Sequence, residues 1–273
     1  MRTFPIGGIH PHDNKEWSKD KGIEVLELPN EVMIPMIQHI GAPATPIVQK
    51  GDKVLTGQLI GQITGFVSAN IHSPISGTVT SIDAYPNGQG QRRIMIVIKR
   101  EGDEWVDTID RSTELKRECT LKPAEIIEKI KQAGVVGLGG AQFPTHVKLT
   151  IPDGQKAEVL IINGVECEPY LTSDYRNMLE RGEMLLTGVE IIMRAIGVER
   201  AVIGVENNKP DAIAHLRDII SRDNYRGIEV MPLKLRYPQG GEKQLIAAVT
   251  GRQVAPPPAL PISEGAVVCN VSS

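Results

Sequence analysis

Apolar positions between residues 30 and 100 come in short runs that glycines keep interrupting. The runs are PIVQKG, QLIGQI, ANIHSPISGTVTSI and RRIMIVIK, broken at Gly51, Gly57, Gly61, Gly65 and Gly77 and by the turn YPNGQG at 85–90. Strands at such close spacing with glycine turns predict a small all-β sandwich or barrel. From Lys122 the apolar period lengthens to that of a helix. KPAEIIEKIKQA sets Ile126, Ile127 and Ile130 on one face behind Pro123 at a first helical position, and Gly134 ends it. Helices and single apolar strands then alternate: AEVLIING (157–164) as strand, RGEMLLTGVEIIMRAIG (181–197) as helix, RAVIGVE (200–206) as strand, KPDAIAHLRDIISR (209–222) as helix, and GIEVMPLKLRYP as strand. That β-α-β-α-β order predicts a Rossmann-like α/β domain with a mainly parallel sheet and ligands at the carboxyl ends of its strands. The expected organisation is an N-terminal segment and β domain over 1–100, a charged connection over 101–121, and the α/β domain over 122–273.

The β segment raises a chemical question. VQKGDKVLTGQLIGQI followed by SPISGTV resembles the half-repeats of lipoyl and biotinyl carrier domains, the barrel-sandwich fold in which a hairpin-tip lysine carries the prosthetic group. Here the tip reads GFVSAN, with Ser68 and Ala69 where that lysine is expected. With no amine at the tip, a covalent carrier is disfavoured, and the module reads as structural or as a docking surface.

Composition removes several classes of function. A chain of 273 residues buries a large core and suggests two domains. A net charge of −3 with scattered Lys and Arg leaves no basic footprint for nucleic acid, and 4% aromatics leave no stacking platform for bases. Met1–Pro5 leads into IGGIHPHDNKEW without an apolar signal core, and no run approaches the ~18 apolar residues of a membrane span. The expectation is a soluble chain, with docking on a membrane complex left open. Cys119, Cys167 and Cys269 are too far apart for a C-x-x-C motif, which argues against a disulfide framework or zinc site and for a reducing compartment.

Three stretches carry candidate chemistry. In VVGLGGAQFPTHVK, Gly137, Gly139 and Gly140 offer bare backbone that can lie against a phosphate or planar ring, with Lys148 placed to supply positive charge. The spacing excludes a Walker A lysine and meets the Rossmann glycine pattern only in part. INGVECEPYLTSDYR puts Asn163, Glu166 and Glu168 at the carboxyl end of a strand, where sites belong. In RYPQGGEKQLIAAVTGR, a strand through Tyr237 leads into Gly240, Gly241 and Glu242 and a helix from Lys243, a turn suited to anions. Singly, each reads equally well as an ordinary turn; together, in one α/β domain, they point to a binding site.

GLGGAQFPTHVK, INGVECEPYLTSDYR and YPQGGEKQLI, with GGIHP near the start and NVSS at the end, resemble the RnfC family over nearly the whole chain. These proteins are peripheral soluble subunits of the Rnf ferredoxin:NAD oxidoreductase. The α/β part is also similar to the NADH-binding flavoprotein subunit of respiratory complex I. The resemblance implies FMN held by Gly137, Gly139, Gly140 and Lys148, with Asn163, Gly240, Gly241 and Asn270 nearby. It places Phe143, Glu166, Glu168 and Glu242 beside the flavin or NADH. No protein side chain is implied as catalytic and none as a metal ligand, because the chemistry belongs to the cofactor. The implied setting is peripheral on the cytoplasmic face of the inner membrane, in contact with other Rnf subunits. In the complex, the implied activity is that of an ion-translocating NADH:ferredoxin oxidoreductase.

The sequence also departs from the family pattern. Gln142 stands where a glycine is expected before Phe-Pro, Val165 where the complex I relative has aspartate, and Ser173 and Tyr175 replace an expected Cys and Asp. Two four-iron clusters are expected in the full-length family, but their repeated C-x-x-C-x-x-C ligands are absent from this chain. A truncated form of a longer subunit is the favoured explanation, a naturally short paralogue the other. Two readings of function stay open: an FMN- and NADH-binding electron-transfer subunit, and a non-catalytic docking or assembly module whose flavin pocket Gln142 closes.

Overall fold

The computed structural model describes residues 1–273. Packing separates two compact units that interleave along the chain: Val25–Leu115 with Ile127–Lys148, and Met1–Glu24 with Lys116–Ile126 and Leu149–Ser273. The chain passes from one unit to the other between Leu115 and Lys116 and again between Ile126 and Ile127. Packing additionally groups the first 24 residues with the α/β elements and the glycine loop with the β elements.

The β unit is built from β1 (Glu31–Pro35), β2 (Thr45–Pro46), β3 (Lys53–Val54), β4 (Leu59–Gln62), β5 (Ile71–His72), β6 (Gly77–Pro86) and β7 (Arg92–Arg100). β1-β7-β6-β3 form one antiparallel sheet and β2-β4-β5 a second. Met36, Val54, Ile60, Val79, Ile96 and Ile98 belong to the apolar core of this unit. The hairpin tip is part of the packed structure. Ser68 and Ala69 are 0% and 1% exposed, the Ser68 hydroxyl donates to the Ala42 carbonyl at 2.9 Å, and the Ala69 amide donates to His39 Nε2 at 3.1 Å. No side chain at those two positions could carry a swinging group.

α1 (Pro123–Gln132) begins at the predicted proline and ends where Gly134 takes φ +66°. A Cβ on Gly134 would stand 2.2 Å from the Asn70 carbonyl oxygen, while Asn70 Nδ2 donates to the Gln132 carbonyl at 3.3 Å. Glycine therefore both stops the helix and permits close approach to the β unit. The short helix α2 (Thr145–Leu149) follows the glycine loop.

The α/β unit contains β8 (Val159–Gly164), α3 (Ser173–Glu180), α4 (Gly182–Ile196), β9 (Ala201–Glu206), α5 (Pro210–Arg222), β10 (Ile228–Leu233), α6 (Glu242–Thr250) and β11 (Ala266–Asn270). The sheet order is β10-β9-β8-β11, all parallel. All residues of β9 are buried, as expected of a strand covered on both faces, so its sequence is a continuous apolar run. Strand order runs outward from β8 through β9 to β10, then returns to place β11 on the other side of β8. The reversal makes a topological switch point between β8 and β11.

One strand is shorter than expected. β10 stops at Leu233 and does not run through Tyr237. Its neighbour β9 has already ended at Glu206, and the next amides turn elsewhere: Lys234 donates to the Arg2 carbonyl at 3.0 Å and Leu235 to Asn207 Oδ1 at 2.9 Å. Tyr237 instead forms an antiparallel bridge with Ile9, with N–H···O contacts of 2.8 and 2.9 Å.

Candidate functional site

The register of the parallel sheet pairs Asn270 with Asn163, so the carboxyl ends of β8 and β11 set two asparagines side by side at the switch point. The preceding residues of both strands are apolar and buried, which leaves these amides as the first polar groups at the sheet edge. Each is already a connector. Asn163 Nδ2 donates to the Gly240 carbonyl at 2.8 Å and its Oδ1 accepts from the Val165 amide at 3.1 Å. Asn270 Nδ2 donates to Asp174 Oδ2 at 2.9 Å and its Oδ1 accepts from the Ser272 amide at 2.8 Å.

The YPQGG turn is fitted closely to the end of β8. A Cβ on Gly240 would lie 2.9 Å from the Val165 carbonyl oxygen and 3.3 Å from Cys167 Sγ. Gly241 is the N-cap of α6, and no side chain caps that helix, so its first amides and the positive end of its dipole are a suitable seat for negative charge. Gln239 is fully buried; its Oε1 accepts from the Thr3 hydroxyl at 2.8 Å, while its Nε2 has no hydrogen-bond partner in the protein. α6 starts at Glu242, one residue before the expected Lys243.

The two glutamates of the second motif have different environments. Glu166 is 2% exposed; its Oε1 accepts from the Asp174 amide at 2.8 Å and the Tyr175 amide at 3.4 Å, capping α3, whose own N-cap residue Thr172 makes no side-chain capping bond. Burial pushes the Glu166 carboxyl above the usual range, opposed by Lys15, then Lys209 and the Asp174 amide. Glu168 is exposed, and its carbonyl accepts from Lys15 Nζ at 3.1 Å. Cys167 is buried, its thiol pushed up by desolvation, and it serves as packing against Gly240. The hollow lined by Ile9–Pro11, Asp13, Lys15, Glu166, Cys167 and Leu235–Tyr237 is about 40 Å³, space for roughly one water.

The glycine loop closes on itself within the β unit. The Gly137 amide donates to the Phe143 carbonyl at 2.9 Å and the Thr145 amide to the Val135 carbonyl at 3.0 Å. None of Gly137, Gly139 and Gly140 takes a left-handed φ; the residue that does is Gln142, at +47°. At Gly140 an added Cβ would meet no atom within 4 Å, so that stretch of backbone is open to a ligand. Phe143 is half-buried, and Lys148 lies on α2. Because a left-handed backbone costs a side-chain-bearing residue about 1–2 kcal/mol, Gln142→Gly is expected to leave stability unchanged or raise it by up to about 1 kcal/mol after the extra unfolded-state freedom of glycine is set against it. A thermal melt checks this, and a loss above about 1 kcal/mol contradicts it.

The structure thus brings Asn163, Gly240 and Gly241 together, with Asn270 beside Asn163, and places Glu166 behind them. Three further residues escaped sequence reasoning. Asp174 accepts from Asn270 and from the Ser272 hydroxyl at 2.6 Å; Gln239 is the buried amide of the turn; Lys15 contacts the Glu166–Leu171 stretch from the N-terminal segment. Lys15 sits in the polar run HPHDNKEW, where nothing local distinguishes it from a solvated lysine.

Comparison with known proteins adds to this geometry. Residues 3–103 match the RnfC barrel sandwich hybrid domain and residues 130–273 the Nuo51 FMN-binding domain. The chain belongs to the RnfC family. Within it, the corresponding subunit of the proton-translocating ferredoxin:NAD(+) oxidoreductase complex of Clostridium ljungdahlii is 47% identical over 98% of this chain and 57% of its own length. Its counterpart in the Na(+)-translocating ferredoxin:NAD(+) oxidoreductase complex of Acetobacterium woodii is likewise 47% identical, over 98% of this chain and 59% of its own. This RnfC-family chain therefore spans somewhat over half the length of these relatives. A solved NAD(+)-reducing nickel–iron hydrogenase in its air-oxidized state is 28% identical, with TM-score 0.49 over 55% of this chain and 29% of that one. No helix is long and apolar enough to cross a membrane.

Proposed function

We propose that this chain is the FMN- and NADH-binding part of an Rnf-type electron-transport complex, attached at the cytoplasmic face of the inner membrane to the other Rnf subunits. The observation that carries the reading is the pair Asn163 and Asn270, side by side at the switch point, with Asn163 tied to the Gly240 turn at the start of α6.

The residues present suit a flavin nucleotide. Carboxamides both donate and accept, as a flavin ring edge requires, and the uncapped amides of α6 favour a phosphate. The FMN-binding domain match runs from 130 to 273, which supports FMN as the ligand of Asn163, Gly240, Gly241 and Asn270; Gly137, Gly139, Gly140, Phe143 and Lys148 fall within the same match. When bound, FMN supplies hydride acceptance from NADH and onward transfer of single electrons. The protein's own contribution is orientation and charge. Glu168, exposed beyond β8, and Glu242 in the first turn of α6 are assigned to NADH, as acceptors for ribose hydroxyls. Their negative charge opposes a 2′-phosphate and favours NAD over NADP. Glu166 acts from behind, as the cap of α3.

The test is a titration of FMN with the purified chain, followed by fluorescence quenching, then NADH added without oxygen. Quenching at a 1:1 ratio and bleaching of the flavin band are expected. A chain that leaves FMN fluorescence untouched, both as it stands and as Gln142→Gly, overturns the proposal; quenching by Gln142→Gly alone identifies a pocket closed by that side chain.

A further inference from the structure

The α/β unit buries two lysines, Lys15 and Lys209, and the flavin reading has no use for the first. Lys15 is 7% exposed, and its ammonium donates to the carbonyls of Glu168 and Leu171 and lies 3.5 Å from Glu166 Oε2. Two of its donors thus meet carbonyls and the third faces the Glu166 carboxylate at ion-pair distance, all on the stretch that follows β8. The same N-terminal segment holds that stretch at further points: the Tyr170 amide donates to the Asp13 carbonyl at 2.7 Å, the Ser18 and Thr172 hydroxyls are 2.9 Å apart, and the Trp17 ring stands edge-on to Tyr170 at 6.0 Å.

What this stretch supports is the site itself. Val165 and Cys167 form the wall against which Gly240 packs, and Asn163 bonds both to the Val165 amide and to the Gly240 carbonyl. Moving Glu166–Leu171 moves that wall. We propose that Lys15 is a positioning residue of the binding site, locking the Glu166–Leu171 turn so that Asn163 and Gly240 face the ligand in one fixed arrangement. This rests on the flavin reading for the identity of the ligand, and on the contacts above for the lock.

Without Lys15, Glu166 loses the strongest influence that keeps it ionised. The other charged groups facing it are Lys209, from the segment after β9, and Asp174, from α3, of which only Lys209 favours the charged form. A carboxyl whose folded pKa is raised contributes fully below its unfolded value and loses that contribution as pH rises through the folded one. Lys15→Met should therefore be impaired most at high pH and recover as pH falls, whereas a defect of shape alone carries no such dependence.

The experiment compares wild type, Lys15→Arg, Lys15→Met and Lys15→Met/Glu166→Gln by FMN quenching between about pH 5 and about pH 8, with hydrogen exchange of the flavin-free proteins alongside. Lys15→Met is expected to bind FMN about tenfold or more weakly at the upper end, the usual effect of removing a group that orients a ligating one. Lys15→Arg should recover much of the affinity, and the double variant should lose the pH dependence. Amides of residues 164–174 should exchange faster in Lys15→Met while those of β9 stay protected, which shows a folded unit with a loosened turn. Wild-type affinity in Lys15→Met overturns the proposal, and so does an equal loss in Lys15→Arg and Lys15→Met. If wild type itself fails to quench FMN, the flavin reading falls; the lock is then judged by exchange alone, and unchanged exchange at 164–174 overturns it.

Discussion

Lys209→Met lowers the stability of the α/β unit by about 3–5 kcal/mol, the range for stripping one partner from a buried ion pair. Lys209 and Glu206 are 4% and 0% exposed and 3.0 Å apart, and the ammonium also donates to Asn208 Oδ1 at 3.3 Å. Glu206 Oε1 has no hydrogen-bond partner, so this ammonium is the main compensation for a carboxylate removed from water. Replacing both partners, as in Glu206→Gln/Lys209→Met, removes the uncompensated charge and should recover more than half of the loss. A surface pair gives the contrast: Arg200 and Glu229 meet at 2.7 Å but are each about half exposed, and Arg200→Met should cost less than about 1 kcal/mol. Urea unfolding monitored by far-ultraviolet circular dichroism measures all three. A Lys209→Met protein within about 1 kcal/mol of wild type would show that water reaches Glu206.

Gly240→Ala should cost about 1–3 kcal/mol and weaken FMN binding together. The new methyl group meets the Val165 carbonyl oxygen at 2.9 Å, a backbone atom that cannot swing aside, and then the thiol of Cys167 at 3.3 Å. Relief requires the turn to back away from β8, which stretches the 2.8 Å bond from Asn163 to the Gly240 carbonyl. Gly140→Ala isolates the other role of glycine. With no atom within 4 Å of its Cβ, its stability should stay within about 0.5 kcal/mol of wild type, while FMN binding falls if the ligand lies against that backbone. Melting curves paired with FMN titrations separate the two. Unchanged stability in Gly240→Ala would mean that the turn has room to relax.

Much of this architecture is legible in local pattern. β9 and β8 are apolar runs of strand length, α4 and α5 repeat apolar positions at helical spacing, and Pro123 and Gly134 bracket α1 by their backbone chemistry. The sequence overextends β10 because LKLRYP continues its polar alternation, whereas its end is set by the length of β9 and by capture of its amides by Arg2 and Asn207. The candidate site is legible where motifs fall at strand ends, as Asn163 does. It is illegible where long-range packing decides: Glu166 reads as a solvent-facing acid until α3 and Lys15 close over it, and nothing near Lys15 points to a partner after β8. In the glycine loop, the left-handed residue is Gln142, not one of the glycines, a matter of backbone geometry that residue type does not announce.

The interleaving of the two units has a consequence for biosynthesis. Residues 1–24 leave the ribosome long before their partners, which lie on β10, the YPQGG turn and the stretch after β8. At about 5–20 residues per second, Ile9 waits roughly 11–46 s for Tyr237 to be translated. Its neighbours Ile6 and Trp17, 87% and 68% exposed even when folded, wait with it. The nascent chain therefore carries Ile9 unpaired while more than two hundred residues are added, and Trp17 without its Tyr170 contact while about 150 are.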